Sequence, residues 1–143
     1  MDDPRTVAIR WQDAYSEHDE QALRSVLTDD ARLVSPNGIF SGRQAIGDYM
    51  TAWSNAFPDS RYTQEHVTVD GDTVVVESTF TGTQSGTLVD PGGDIPASGR
   101  RVEARSAHAV VVSGDRVTEV RMYFDVLGFL SQLGVVPAAA STG

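Results

Sequence analysis

Residues 101–125 read RVEARSAHAVVVSGDRVTEVRMYFD, two runs rich in Val and β-branched or aromatic residues on either side of Gly114-Asp115. A Gly-Asp pair between two such runs is a tight-turn signal, so Arg101–Ser113 and Arg116–Asp125 are predicted to fold back on each other as antiparallel strands. Upstream, the same texture fills Tyr62–Asp70 and Thr73–Thr87, with Gly71-Asp72 as their turn. Val89–Gly99, with three Gly and two Pro, separates the two hairpins as a loop. The second half of the chain therefore reads as an antiparallel meander.

The first half has a different period. Val7, Trp11, Ala14, Tyr15 and His18 fall on one helical stripe, with Pro4 in the first turn. Leu23, Val26 and Leu27 repeat it briefly within 21–27 before Thr28-Asp29-Asp30 breaks the pattern. Ala31–Ser35 reads as a short strand ending at the Pro36-Asn37-Gly38 turn. A second long helix starts at Ser41-Gly42, carries Ile46, Tyr49, Met50, Trp53 and Phe57 on one face, and stops at Pro58. Phe124–Leu133 reads as one or two more helical turns, stopped at Gly134. Helices first and strands after is α+β segregation, with helices on one face of a curved antiparallel sheet of about four to six strands around an apolar pocket. At 143 residues the chain is expected to be one domain over residues 1–136, with 137–143 as a frayed tail.

Charge and composition exclude several functions. Eleven cations, all Arg, face 20 acids, for a net charge of −9. Such a surface repels phosphate, which argues against nucleic acid and against an anionic membrane as partners. No Cys is present, which removes disulfides, thiolate nucleophiles and Cys-ligated metals. Met1-Asp2-Asp3-Pro4 has no apolar signal core, so a cytoplasmic location is expected. His18, His66 and His108 lack metal-ligand spacing, and no nucleotide, phosphate or zinc motif occurs. Neither metal nor cofactor is expected, which leaves acid–base chemistry in a pocket.

Strand alternation sorts the candidates. Val102, Ala104, Ser106, His108, Val110 and Val112 share a face, and the small Ala104 and Ser106 leave room above the sheet. His108 is then either a satisfied core histidine or part of a pocket floor. On the next strand Glu119, Arg121, Tyr123 and Asp125 share one face and Val120, Met122 and Phe124 the other. Asp125, set between apolar neighbours, reads equally as a helix N-cap and as a carboxyl raised toward neutral pH for general acid–base work. Trp11, Tyr15 and Trp53 belong to core stripes from which one or two rings could reach a flat ligand. The apolar stripe of Val120, Met122 and Phe124, taken as exposed, predicts a homodimer through the outer face of the sheet.

Five stretches in order carry a resemblance over about Val7–Gly134: Phe57-Pro58-Asp59, Val69–Val76, Thr81-Gly82-Thr83-Gln84-Ser85-Gly86, Gly99–Val102 and Tyr123–Gly134. Together they resemble the SnoaL-like polyketide cyclases of the nuclear-transport-factor-2-like superfamily. The resemblance implies a cone-shaped α+β fold, a deep apolar pocket and often a homodimer. It implies a cofactor-free, aldol-type ring closure on a polyketide or related secondary-metabolite intermediate of antibiotic biosynthesis. By position it assigns the proton transfer to Asp125 with His108 beside it. Trp11, Tyr15, Trp53, Phe80, Gln84 and Tyr123 are the expected contacts to an apolar or aromatic substrate. Gln84 stands where many relatives have His, which puts a shared mechanism in question at that position. Two alternatives remain: an epoxide hydrolase or ether-ring cyclase, which needs a second pocket carboxylate such as Asp48, Glu77 or Glu119, and a non-catalytic ligand-binding module.

Overall fold

In the computed structural model, which describes residues 2–90 and 92–135, helix α1 spans Pro4–Ser16. Asp3 caps it by accepting from the Thr6 N–H at 2.8 Å, and Pro4 sits where a missing N–H costs nothing. Its buried stripe is Val7, Ala8, Trp11, Gln12, Ala14 and Tyr15. The helix ends before His18, which takes φ 55°, a left-handed turn rarely adopted by a residue with a side chain. That turn delivers Asp19 as the N-cap of α2 (Glu20–Ser25).

Strand β1 runs Leu27–Ser35, through Thr28-Asp29-Asp30 rather than starting after them. A register shift between Leu27 and Arg32 absorbs the polar triplet, leaving Asp29 and Asp30 exposed. Strand β2 (Gly38–Ser41) completes a hairpin with β1, and α3 (Arg43–Ala56) follows. The meander is β3 (Arg61–Asp70), β4 (Thr73–Thr83), β5 (Arg101–Ser113) and β6 (Arg116–Phe124), then α4 (Val126–Gln132). The curved six-stranded sheet has the order β2-β1-β6-β5-β4-β3. All its pairs are antiparallel except β1 with β6, which is parallel. That pairing joins the two ends of the sequence and carries no local turn signal. The reading of residues 137–143 as a frayed tail lies outside the described residues.

The core lies between the inner face of the sheet and helices α1 and α3. Trp11, Tyr15, Phe57, Leu33 and Ile46 are fully enclosed, each contributing roughly 1.5–3 kcal/mol through buried apolar area. The alternation along β6 is as expected, but its sides are the reverse of the dimer argument. Val120 and Met122 are buried at 0% and 7% exposure, and Phe124 is half-buried. Because β6 is flanked by β5 and β1, its apolar face is the only one the helices can cover. The outward side carries Tyr123 and the paired Glu119 and Arg121. The stripe assigned to a dimer contact is therefore core.

Candidate functional site

Where the inner face of the sheet meets α3 and α4, ten side chains enclose a small cavity. Met50 and Trp53 come from α3, Tyr62 from β3 and Phe80 from β4. Ala104, Ser106 and His108 alternate along β5, Met122 and Phe124 along β6, and Phe129 closes the end from α4. Five aromatic rings dominate the wall. Trp53 lies 5.8 Å edge-on to Phe80 and 6.0 Å edge-on to Phe124, and Phe129 is 5.3 Å from it. The cavity is small, about 30 Å³. Trp53, Phe124 and Phe129 also line a more open cleft of about 250 Å³ beside Leu88, Ile95 and Asn37. Those three rings are thus a shared partition between cavity and cleft.

The polar groups of this cavity are Ser106 and His108 on β5 and the Tyr62 phenol on β3. His108 is fully buried, and burial alone lowers its pKa to about 4, so the imidazole is neutral at physiological pH. Its Nδ1 lies 3.1 Å from the side-chain nitrogen of Gln12. Its Nε2 has no partner among the described residues. The Tyr62 ring stands edge-on to the imidazole at 5.0 Å, and burial pushes the Tyr62 phenol well above its ordinary pKa. Gln12 also donates to Ser78 Oγ at 2.9 Å, and Ser78 Oγ lies 3.3 Å from Ser106 Oγ. A hydrogen-bonded relay therefore runs from α1 through β4 to a hydroxyl on the cavity wall.

The expected site residues separate into three groups. His108, Trp53 and Phe80 line the cavity. Trp11 and Tyr15 stand behind it: Trp11 is wholly in the core, and Tyr15 hydrogen-bonds Ser60 Oγ at 2.7 Å while its ring packs at 5.3 Å against Tyr62. Asp125, Gln84 and Tyr123 do not line this cavity. Asp125 is exposed and caps α4, accepting the Gly128 N–H at 2.9 Å. Helix capping claims its carboxylate because β6 ends at Phe124 and α4 begins at Val126. Gln84 is fully buried but faces the 84–100 loop, donating to Ile95 O at 3.0 Å and accepting from Ser98 N at 3.2 Å. Tyr123 is 57% exposed on the outer face of the sheet, because strand alternation puts it opposite Met122 and Phe124.

The carboxylates suggested for an epoxide-type site are also outside. Asp48 pairs with Arg24 at 2.8 Å on the helical surface, Glu77 is exposed, and Glu119 pairs with Arg121 on the outer face. Among the described residues no Asp or Glu lines the cavity, and no cluster of three His, Asp or Glu is placed to hold a metal ion. No helix among them is long and apolar enough to cross a membrane. Sequence reasoning missed Gln12, although a glutamine one turn after Ala8 and three residues before Tyr15 lies on the buried stripe. It also missed Tyr62 and Phe129, whose neighbours gave no periodic signal.

A curved sheet wrapped by helices around an apolar, aromatic cavity with a histidine floor defines an α+β cone. The chain belongs to the SnoaL-like domain family, which it matches over residues 8–120. Among solved structures it is similar to a protein of Jannaschia sp. CCS1 designated a SnoaL-like polyketide cyclase, at 23% identity and a TM-score of 0.82 over 94% of this chain and 93% of that one. TsrD from Streptomyces laurentii is 26% identical with a TM-score of 0.78, covering 92% of this chain and 94% of its own. TerC, crystallised with polyporic acid, is 16% identical with a TM-score of 0.71, covering 92% of this chain and 99% of its own. No curated protein matches the chain by sequence.

Proposed function

We propose that the protein is a cofactor-free cyclase of a polyketide-like small molecule, in which His108 rather than Asp125 meets the substrate. The observation that carries this reading is the neutral, buried imidazole on a largely aromatic wall, with one ring nitrogen unpartnered among the described residues. Aldol-type closure is redox-neutral: a proton leaves the carbon beside one carbonyl, a carbon–carbon bond forms, and the second carbonyl oxygen gains a proton. A methylene between two carbonyls is acidic enough to lose its proton to water. The protein's part is then to fold the chain so that the reacting carbons approach, and to hold the oxygen where negative charge develops.

His108 serves the second task and the aromatic wall the first. A substrate of this class exceeds this small cavity, so it is accommodated by displacing the rings of Trp53, Phe124 and Phe129 that also line the adjoining cleft. TerC's polyporic acid supports a small molecule as the ligand of this fold. The test is incubation with an aryl 1,3-diketone bearing a second carbonyl within reach of its methylene, with ring closure followed by mass spectrometry and absorbance. Acceleration over buffer, lost in His108→Phe, supports the reading. Binding without acceleration across such a panel favours the second reading, a non-catalytic ligand-binding module, to which the lack of a cavity carboxylate among the described residues lends weight.

A further inference from the structure

We propose that Gln12 is a positioning residue that fixes His108 as its Nε2–H tautomer, so that the cavity offers a hydrogen-bond donor and selects ligands with a carbonyl or phenolic oxygen at that point. The proposal rests on His108 being the polar floor of the ligand cavity.

Gln12 is fully enclosed between α1 and the sheet. Its amide nitrogen carries two N–H groups and no lone pair to offer, so both of its close neighbours must accept. One is Ser78 Oγ at 2.9 Å and the other is His108 Nδ1 at 3.1 Å. An imidazole nitrogen that accepts carries no proton. In a neutral ring the proton is then on Nε2, the atom with no partner among the described residues. The opposite orientation of the amide would turn its oxygen toward Ser78 and His108 and strand two buried N–H donors. The orientation present leaves one acceptor, Oε1, without a partner among the described residues. A single unpaired oxygen is the cheaper arrangement.

Ser78 reinforces the assignment. Its hydroxyl accepts from Gln12 and has its own hydrogen free for Ser106 Oγ at 3.3 Å. The relay therefore points donors from α1 toward β5, with His108 Nε2–H at one end and the Ser106 hydroxyl, two residues earlier on the same face, at the other. A ligand carbonyl between them meets a donor rather than a base. A ligand presenting only N–H or O–H donors to that corner is disfavoured.

The experiment is ¹⁵N NMR of ring-labelled histidines in the ligand-free protein at neutral pH, where the protonated and unprotonated ring nitrogens give widely separated signals. The wild type is expected to show His108 as a single Nε2–H tautomer. In Gln12→Met, which keeps the side-chain length and removes the donor, the two His108 signals move toward each other as the tautomers average. A wild-type ring protonated at Nδ1 or at both nitrogens overturns the proposal, as does a Gln12→Met spectrum unchanged from the wild type. If Gln12→Met does not fold, the wild-type spectrum alone decides. No substrate is used, so failure of the cyclase reading and failure of this inference are separate results.

Discussion

Met122 lies directly across the β5–β6 pair from His108, and Tyr123 across from Ala107. Side chains of paired residues share a face, so Met122 joins His108 in the cavity and Tyr123 is turned outward. The register shift between Val111 and Val112 sets this alignment. Asp125 then falls beyond the end of β6, at the start of α4, where its carboxylate meets a backbone N–H instead of a substrate.

On the proposal above, Asp125 acts only as the cap of α4. Asn caps nearly as well as Asp, so Asp125→Asn should leave thermal stability almost unchanged, whereas Asp125→Ala should cost about 1 kcal/mol. Paired denaturant melts check both values. A loss in the Asn variant as large as in the Ala variant would contradict the cap.

Acid should destabilise the fold through His108. Its folded pKa of about 4 lies below the ordinary 6.5, so between these values the unfolded chain binds a proton that the folded one refuses. Stability is full above pH 6.5 and falls as pH drops toward 4, by about 3 kcal/mol at most. Unfolding free energies at pH 7 and pH 4.5 should differ less in His108→Phe. An equal acid sensitivity in that variant would place the titration elsewhere.

Gln84 should prove to be a loop staple. Removing its amide leaves Ile95 O and Ser98 N without their side-chain partner, a cost of about 1–3 kcal/mol. In Gln84→Ala the Ser98 amide is expected to exchange hydrogen much faster, with the His108 ring signals unmoved. A shift at His108 would mean that Gln84 does reach the site.

Gly82 is held by space rather than by backbone angle. A Cβ there would lie 2.9 Å from Ser60 Cβ and 3.3 Å from Phe57 Cβ. Gly82→Ala should therefore destabilise by about 1–3 kcal/mol through overpacking, read as a lower midpoint in urea. A neutral result would show that the Phe57–Ser60 turn can give way.

Much of this arrangement is written in local periodicity. The helical stripe of Val7, Trp11 and Tyr15 and the alternation of Ala104, Ser106 and His108 each describe one element, and each is found as read. The parallel β1–β6 pair joins Leu33 to Val120, residues far apart in sequence, and no local pattern encodes it. The inverted reading of β6 has the same origin. Alternation separates Met122 from Tyr123 but cannot say which side the helices cover, and that depends on β1 flanking the strand. Gln12 was hidden because a polar residue in an apolar stripe looks like a flaw until its partner, His108, is brought up from the far half of the chain.

On the proposed function, His108 and not Asp125 meets the substrate. The most direct measurement compares ring closure of one aryl 1,3-diketone by the wild type, His108→Phe and Asp125→Asn. Loss of an oxyanion-stabilising donor lowers turnover by about 10²–10³-fold, so His108→Phe should fall by that order while Asp125→Asn stays within about 2-fold of wild type. The reverse order, with Asp125→Asn inactive and His108→Phe near wild type, would contradict the account.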